Sequence, residues 1–515
     1  MVGESGKTAR TKRKKIEAGS VIVRPGRVRL LDRIGATADR LQVRVFAVGG
    51  YVRDSLLGHP CKDIDFLVLG DVLAFAEEAC HDLKVKRPVV FEKFSTAMVA
   101  YRGWRLDFVG ARREKYHPDS RKPEVEAASL EEDLTRRDFT VNAMALSLNQ
   151  DSFGRLVDLL NGLRDLHDKI LRTPLEAQTT FSEDPLRILR AVRFAAQLGF
   201  GIEHQTLEAI GAMRDRLSII SQERITDEFW KILSMPKPSV GLRLLYITHV
   251  MDVIFPELSA LSGTTQKGKY HHKNVLEHTF LVVDNVAAMT PDPVMRFAAL
   301  VHDIAKPKVK RFDEQEGWTF HGHEDLGARM TLSIGRRMRL PTEAVEKAAK
   351  LVRFHMRPIN LTDEEVTDSG LRRLIVQAGE DREDLLTLCR ADITSANPKK
   401  VEKYLADFDN MVARMAEVMD KDRLRAFQSP VRGEEIMELC NLKPGPLVGQ
   451  LKRAIEEAIL DGVIPNEHDA ARAYLLEIKD KTIKKAQAAN RRASSGIAKK
   501  FGKEPGKKEK EEDKK

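Results

Sequence analysis

Two aspartates one residue apart, Asp63 and Asp65, are the first residues whose types and spacing suit chemistry. They stand at the start of an apolar run, 64–69, which is typical of a buried strand. Because side chains alternate along a strand, both carboxylates are predicted to point to the same face. Two acids on one face suit a pair of Mg²⁺ ions that hold a triphosphate. The alternative is a solvated strand edge without a ligand.

A glycine turn precedes these acids. The apolar run 45–48 predicts a strand, and Gly49 and Gly50 then let the backbone turn sharply and approach a ligand closely. The following residues can open a helix whose free N–H groups attract an anion. Arg53 adds a cation suited to bidentate phosphate contact. The segment therefore predicts a triphosphate site, with an ordinary turn as the alternative.

A second candidate site lies on the predicted helix 183–200, where polar residues recur every third position: Asp184, Arg187, Arg190 and Arg193. Cytosine and adenine each present an amine donor beside a ring-nitrogen acceptor. A carboxylate accepts from the amine while a guanidinium donates to the ring nitrogen. Asp184 and Arg187 can therefore select CTP and ATP without a nucleic-acid template, although such stripes are usually solvated helix faces.

The second half of the chain is rich in histidine. His278, the pair His302-Asp303, and Asp392 fall on separate predicted helices, and imidazole with carboxylate suits a divalent metal whose identity the pattern leaves open. Further histidines are candidate secondary ligands or substrate contacts, namely His321, His323 and His355. Isolated histidines are more often structural, but this set is more specific.

Composition sets the frame for these motifs. The chain has 515 residues, 42% hydrophobic and 32% charged, which indicates three or more well-packed domains. Four scattered cysteines, no recognisable signal peptide and no apolar run of membrane length predict a cytoplasmic protein without membrane association. The formal net charge of +9 favours an anionic macromolecular partner. The basic ends predict disordered tails, which either only solubilise the protein or attract RNA weakly.

These motifs resemble the class II tRNA nucleotidyltransferases, which include the CCA-adding enzymes and the bacterial poly(A) polymerases. The resemblance rests on the Gly-Gly-x-x-Arg-Asp turn, the Asp63-x-Asp65 strand, the Arg136-Arg137-Asp138 segment and the Glu-Asp-x-x-Arg helix start. It implies an α+β fold, in which a small mixed-sheet head of the DNA polymerase beta type precedes all-α neck, body and HD domains. The histidine pattern is similar to that of the HD phosphohydrolases.

The resemblance also assigns roles. Arg137 contacts the incoming nucleotide, Asp138 lies near the sugar, and Arg190 and Arg193 make further nucleotide contacts; Asn142 is a weaker candidate. Asp107, on the predicted strand 105–109, is a candidate third metal ligand, with pairing to a nearby arginine as the alternative. The polar stretch 110–130 is expected to be a long mobile loop that helps the site switch from C to A addition.

The predicted organisation follows the same order. It comprises a basic tail (1–18), the head (25–165), a helical neck and body (166–262), the HD domain (263–400), a helical C-terminal region that binds RNA or packs (401–480) and a lysine-rich tail (481–515).

The predicted activity is template-independent addition of CMP and AMP from CTP and ATP to the 3′ end of tRNA by two Mg²⁺ ions, with a metal-dependent HD phosphohydrolase behind it. One alternative is a poly(A) polymerase or a partial CC- or A-adding enzyme. The stretch 89–101 lacks the arginine-rich signature of the poly(A) polymerases, which favours CCA addition. Another alternative is an HD phosphohydrolase whose head only binds RNA.

Overall fold

The computed structural model describes residues 29–91, 95–115, 124–264, 274–315, 317–362, 367–423 and 430–481. The predicted tail 1–18, almost all of the tail 481–515 and residues 116–123 of the predicted loop lie outside the described residues. The chain divides into two compact units, Met1–Val352 and Arg353–Lys515. This division falls inside the range predicted for the HD domain.

The first unit begins with a mixed sheet of seven strands in the order β3-β4-β5-β2-β1-β8-β9. Its strands pair antiparallel except β2 with β5, which pair parallel. The strands are β1 (Arg44–Val48), β2 (Asp63–Leu69), β3 (Val89–Phe91), β4 (Thr96–Tyr101), β5 (Trp104–Gly110), β8 (Ala145–Ser147) and β9 (Leu156–Val157). The predicted mixed-sheet head is confirmed.

Three helices frame this sheet: α1 (Arg29–Arg40), α2 (Gly50–Leu57) and α3 (Val72–Leu83). The two aromatic rings of Phe66 and Phe108 stack at 5.0 Å on neighbouring strands, and Phe75 of α3 packs on Phe108 at 5.7 Å. All three rings are fully buried, so burial of aromatic surface fixes α3 against the strands that carry Asp65 and Asp107.

The segment predicted as a loop contains regular structure, which corrects that prediction. Strands β6 (Arg112–Lys115) and β7 (Glu124–Ala127) form an antiparallel pair. The backbone N–H of Ala128 donates to the carbonyl of Ala111, which extends the pairing. Polar composition predicted a loop, but a ladder needs only backbone groups and polar side chains do not exclude it.

Helices form most of the rest of the first unit. They are α4 (Leu130–Thr135), α5 (Gly162–Asp168), α6 (Ala177–Glu183), α7 (Leu186–Leu198), α8 (His204–Met213), α9 (Gln222–Leu233), α10 (Pro238–Ile247), α11 (Val250–Ile254), α12 (Pro256–Ser259), α13 (Val275–Met289), α14 (Pro293–Val301), α15 (Lys306–Val309), α16 (His323–Arg337) and α17 (Thr342–Phe354), whose last two residues belong to the second unit.

Two short ladders interrupt the region that was expected to be all helical. Strand β10 (Ile170–Leu171) pairs parallel with β11 (Gly201–Ile202), and β12 (Arg311–Asp313) pairs antiparallel with β13 (Gly317–Thr319). These strands have two or three residues, which is too short for a clear period-2 pattern in the sequence.

The second unit contains α18 (Met356–Ile359), α19 (Asp368–Ala378), α20 (Arg382–Asp392), α21 (Pro398–Arg423), α22 (Gly433–Cys440) and α23 (Pro446–Leu460). Helix α22 ends at Cys440 and α23 starts at Pro446, so residues 441–445 separate the two helices. Ile436 of α22 packs with Leu451 and Ile455 of α23 in a core that includes Leu475. None of the helices in the described residues is long and apolar enough to cross a membrane.

Candidate functional sites in the head and the histidine-rich region

The candidate acids of the head lie on the two parallel strands. Asp63 and Asp65 are exposed whereas the alternating Ile64 and Phe66 are buried, so both carboxylates lie on one face, as predicted. Asp65 lies directly beside Asp107 in the register of β2 and β5. The three residues, which we call the head carboxylates, are therefore brought together by strand pairing. Asp107 Oδ2 also forms an ion pair with Arg105 Nε at 3.0 Å, so the pairing with a nearby arginine is present, and the metal-ligand role of Asp107 stays a prediction.

The surroundings of Asp65 make its carboxylate costly to ionise. Its Oδ2 lies 3.4 Å from the position that a Cβ on Gly49 would take, so it points into the recess beside the turn. Partial desolvation there raises the pKa of Asp65, and the neighbouring Asp107 acts in the same direction while Arg137 opposes it. A carboxylate in this state gains stability when a cation joins it.

The turn at Gly49 needs glycine. Its φ of 72° and ψ of −136° are strained for any residue with a side chain, and a Cβ there would lie 3.2 Å from Arg137 Nη1. Helix α2 starts at the next residue, Gly50, so the free N–H groups of its first turn directly follow Gly49. The Gly49 turn therefore lies beside both the Arg137 guanidinium and the Asp65 carboxylate.

Arg53 is held inside the fold. Its Nε and Nη2 donate to Asp54 at 2.8 and 2.9 Å, and its Nη1 donates to Asn142 at 2.7 Å. The guanidinium also lies over the Phe194 ring, and the residue is only 4% exposed. Arg53 therefore ties α2 to the residues after the arginine pair, and its predicted phosphate contact stays a prediction.

The arginine pair Arg136-Arg137 is organised by a buried acid. The Oδ2 of Asp133 accepts from Arg137 Nε at 3.1 Å and Nη2 at 2.9 Å, and its Oδ1 accepts from Arg136 Nη2 at 2.5 Å. Burial acts to raise the pKa of Asp133, but Arg137 and Arg136 more than offset it and hold the pKa below its usual value. These bonds occupy one side of Arg137, while Nη1 faces Gly49.

Asp138 is linked to the predicted base-reading helix. Its Oδ1 accepts from Phe139 N and Asn142 Nδ2, and its Oδ2 accepts from Arg190 Nε at 2.9 Å and Nη2 at 2.5 Å. Burial alone would raise the pKa of Asp138, but Arg190 and Asn142 hold it below the usual value. The structure thus brings together Asp138 and Arg190, which the sequence placed 52 residues apart.

The predicted helix 183–200 is two helices with a break at Asp184-Pro185. Helix α6 ends at Glu183 and α7 begins at Leu186, because Pro185 has no N–H to continue the ladder. Asp184 Oδ1 accepts from Leu186 N, the first residue of α7, at 3.2 Å. Its Oδ2 pairs with Arg224 of α9 at 3.3 Å.

Arg187 is buried rather than on a solvated face. It is 6% exposed and donates to the carbonyl of Arg136 at 2.7 Å, to that of Thr180 at 3.3 Å and to Glu183 Oε2 at 3.2 Å. Asp184 and Arg187 therefore sit on one turn, as predicted, but each is oriented by partners that sequence reasoning missed. Those partners are Glu183 and Arg224.

Arg193 faces a different neighbour. It donates to Glu228 Oε2 of α9 at 2.6 Å and lies 4.1 Å from the Phe194 ring centroid. Desolvation lowers the pKa of Arg193, although Glu228 counteracts it. Arg193 also lines a groove of about 730 Å³ with Trp230 and Lys231. Arg190 and Arg193 thus lie on one helix with different partners, Asp138 and Glu228.

In the histidine-rich region, three imidazoles surround one buried carboxylate. His302 Nε2 lies 3.3 Å from Asp303 Oδ2, His278 Nε2 lies 3.8 Å from the same oxygen, and His323 Nε2 lies 3.5 Å from Oδ1. The ligand atoms of His278, His302 and Asp303 all lie within 4.8 Å of one another. We call His278, His302, Asp303 and His323 the His–Asp cluster.

The chemistry of this cluster fits a divalent metal. His302 Nδ1 lies 2.7 Å from the carbonyl of Ala299, and His323 Nδ1 lies 2.8 Å from that of Phe320. A carbonyl only accepts, so each Nδ1 carries the proton and each Nε2 keeps its lone pair for a metal. Lys306 Nζ lies 2.7 Å from Asp303 Oδ2, an ion pair that was not predicted from the sequence.

The remaining predicted residues of this site are His321, His355 and Asp392. His321 is exposed and belongs to neither of the two close groups of ligand atoms found among the described residues. His355 and Asp392 belong to the second unit. There, His355 is fully buried and its carbonyl accepts from Cys389 Sγ at 2.9 Å, while Asp392 ends α20.

Family models match three segments of the chain in order. Residues 45–172 match the poly A polymerase head domain, residues 199–261 match the probable RNA- and SrmB-binding site of polymerase A, and residues 275–397 match the HD domain. The first segment carries the head carboxylates, and the third carries the His–Asp cluster.

Curated relatives match over most of their length. The A-adding tRNA nucleotidyltransferase of Deinococcus radiodurans is 35% identical over 69% of this chain and 80% of its own. The CC-adding tRNA nucleotidyltransferase of Thermus thermophilus is 35% identical over 84% of this chain and 93% of its own. The multifunctional CCA protein of Methylococcus capsulatus is 33% identical over 77% of this chain and 93% of its own.

Solved structures share the fold. A tRNA nucleotidyltransferase complexed with a primer tRNA and an incoming ATP analogue is 25% identical, with a TM-score of 0.55, and the match covers 75% of this chain and 99% of that one. The head sheet, the three matched segments and relatives aligned over most of their length agree. The chain therefore belongs to the tRNA nucleotidyltransferase family.

Proposed function

We propose that this protein adds C and A residues to the 3′ end of tRNA, with CTP and ATP as nucleotide donors and without a nucleic-acid template. The observation that carries the proposal is that the Asp65 carboxylate, the Gly49 turn and Arg137 Nη1 share one recess, with Asp107 beside Asp65. Nucleotidyl transfer needs acids that bind a metal, and it needs backbone N–H groups and a guanidinium that bind a triphosphate. The multifunctional CCA protein and the CC- and A-adding relatives support the same reaction class.

In this proposal the head carboxylates hold Mg²⁺. Asp63 and Asp65 fit it because they offer hard oxygen ligands on one face, and Asp107 beside Asp65 offers a third. Bound Mg²⁺ would supply neutralisation of the triphosphate charge and activation of the RNA 3′-hydroxyl. The protein's own groups bind and orient the substrate: Gly49 and Gly50 offer N–H groups to the phosphates, and Arg137 Nη1 faces the same space.

Base choice is assigned to the break between α6 and α7. Asp184 accepts from the exocyclic amine of cytosine or adenine, and Arg187 donates to the ring nitrogen. Support comes from the fixed geometry of both residues, since Asp184 is held by Leu186 N and Arg224, and Arg187 is held by three acceptors. Uracil and guanine present the opposite donor and acceptor, so they are rejected. Arg53, Asp138, Arg190 and Arg193 are assigned to supporting positions around the nucleotide.

The decisive assay offers the purified protein a tRNA that lacks its 3′ CCA, with labelled CTP and ATP separately and together. Ordered addition of C, C and then A supports the proposal. Addition of C only, or of A only to a tRNA ending in CC, would assign the chain to a partial enzyme like the Thermus or Deinococcus relative. A long A tail or no incorporation would overturn the proposal.

A second activity is favoured by the His–Asp cluster. His278, His302 and His323 present Nε2 nitrogens to the buried Asp303, which fits a divalent metal that would supply an activated water for attack on a phosphate ester. We propose metal-dependent phosphoester hydrolysis at this cluster, and the assignments of Asp392 as a metal ligand and of His321 and His355 as secondary contacts stay predictions. Release of phosphate or nucleoside from phosphoesters in the presence of Mg²⁺, Mn²⁺, Co²⁺ or Ni²⁺ would identify the metal, and no hydrolysis with any of them would remove the activity.

The predicted organisation remains our proposal for the chain: the head at 25–165, the neck and body at 166–262, the HD domain at 263–400 and the C-terminal helices at 401–480. We place the protein in the cytoplasm. Its cysteines are free in the structure, which suits a reducing compartment.

A further inference from the structure

Asp133 is a buried acid whose role goes beyond neutralising its neighbours. It lies on α4, a short helix fixed at its start by a capping box in which Ser129 and Glu132 bond each other's backbone N–H. The residue is fully buried, and an unpaired carboxylate there would be strongly destabilising. Both of its oxygens are instead directed at the two consecutive arginines that follow.

The first set of hydrogen bonds connects Asp133, through Arg137, to the recess beside Gly49. Asp133 Oδ2 accepts from two nitrogens of Arg137, Nε and Nη2, which fixes the plane of the guanidinium. With those two nitrogens engaged, Nη1 is the one that faces Gly49 and the Asp65 carboxylate. The direction of Arg137 toward the recess is therefore set by Asp133.

The second set of hydrogen bonds connects Asp133, through Arg136, to Arg187, the proposed base-reading residue. Asp133 Oδ1 holds Arg136 Nη2 at 2.5 Å, and Arg136 Nε donates to the carbonyl of Arg112 at 2.7 Å. The side chain of Arg136 is thus clamped between α4 and β6, and this clamp fixes its backbone. The carbonyl of Arg136 is the closest acceptor for Arg187 Nη2, at 2.7 Å. Arg112 N also donates to Asp133 Oδ1 at 3.4 Å, which closes the connection to β6.

We propose that Asp133 is a positioning residue that orients the phosphate-facing Arg137 and the base-reading Arg187 together, the latter through Arg136. This rests on the proposed nucleotide transfer and adds a specificity determinant to it. One carboxylate then sets the spacing between the triphosphate site and the base site. A base that does not fit Arg187 is held with its phosphates out of line with Arg137.

The test compares two variants of the full-length protein. In Asp133→Asn, both arginines lose a charge-assisted hydrogen bond, so we expect the KM for CTP and for ATP to rise about tenfold and UTP misincorporation to increase about tenfold. In Arg136→Met, the Asp133–Arg137 pair is kept, so misincorporation is expected to rise while the KM values change less. The readouts are kcat and KM for each nucleotide, together with the ratio of UTP to CTP incorporation.

The control is Asp284→Asn, which removes a carboxylate that accepts from Ser239 N at 2.9 Å and Oγ at 2.6 Å, remote in sequence from all these groups. It should lower thermal stability without changing the incorporation ratio. Unchanged KM and unchanged ratio in Asp133→Asn would overturn the proposal. If Asp133→Asn does not fold, an unchanged ratio in Arg136→Met overturns it instead. If the wild-type protein incorporates neither nucleotide, the proposed function itself fails. That result is distinct from an unchanged KM or ratio in either variant.

Discussion

In the head, Asp63, Asp65 and Asp107 come from two neighbouring strands and face solvent or a recess, whereas Asp303 of the His–Asp cluster is 1% exposed and lies among three imidazoles. The ligand atoms of His278, His302 and Asp303 lie within 4.8 Å of one another, and among the described residues the head carboxylates form no group that is equally tight.

The difference matches two kinds of chemistry. In the proposed reaction a triphosphate arrives and leaves with each addition, and the open head carboxylates would let metal and nucleotide assemble together. The His–Asp cluster is buried and its tautomers are fixed by backbone carbonyls, which suits an ion that stays bound. The two sites are therefore expected to respond independently to mutation, and the following predictions test that independence.

The largest effect is expected in the head. Asp63→Ala removes a proposed metal ligand, so nucleotide incorporation should fall by about a thousandfold or more while the proposed phosphoester hydrolysis is unchanged. Incorporation is measured with labelled CTP on tRNA lacking CCA. Asp151→Ala is the control, because Asp151 is an exposed aspartate that pairs with Arg44, and this variant should remain active. Survival of incorporation in Asp63→Ala would end the two-metal assignment.

The reciprocal change is made in the His–Asp cluster. His302→Ala removes an imidazole whose Nε2 lies 3.3 Å from Asp303, so hydrolysis of p-nitrophenyl phosphate should fall by about a hundredfold or more. Incorporation of C and A should be unaffected. His249→Ala, which alters an exposed histidine paired with Asp252, serves as the matched variant. Parallel loss of both activities in His302→Ala would contradict independent sites.

A smaller effect tests the third head carboxylate. Asp107→Asn keeps the shape of the side chain but weakens a metal ligand, so incorporation should fall by about ten- to a hundredfold. Arg105→Met removes only the ion pair to Asp107 and should leave incorporation within a few-fold of wild type. The comparison is made across a titration of Mg²⁺, where Asp107→Asn should need more metal. Equal effects of the two substitutions would instead make Asp107 a partner of Arg105 and no ligand.

The smallest effect is expected on the stability of the protein, at Glu228, which lies between the two sites in the sequence. Burial would raise the pKa of Glu228, but Arg193 and Lys231 hold it below the usual value. Its stabilising contribution is therefore complete above the ordinary glutamate pKa and is lost as the pH falls through the lower folded value. Glu228→Gln should reduce the free energy of unfolding by about 1–3 kcal/mol near neutral pH. Urea unfolding should show a smaller difference in acid, and a constant difference would contradict this linkage.

Much of the head was readable because its signals are local. Alternation placed Asp63 and Asp65 on one face, and the apolar run of β5 placed Asp107 on a strand. The hairpin β6–β7 was not predicted, because its ladder depends on backbone pairing that polar side chains do not announce. Asp133 carried a signal that was overlooked, since an acid three and four residues before two arginines pairs with them on a helical turn.

The sequence by itself determined the types of chemistry and their order along the chain: acids for a metal and triphosphate, then an acid and arginine for a base, then histidines for a second metal. Only the tertiary structure decided which groups meet. Strand register set Asp65 beside Asp107, and packing of α7 joined Arg190 to Asp138 across 52 residues. Long-range partners are set by how elements pack, and spacing along the chain carries no record of that.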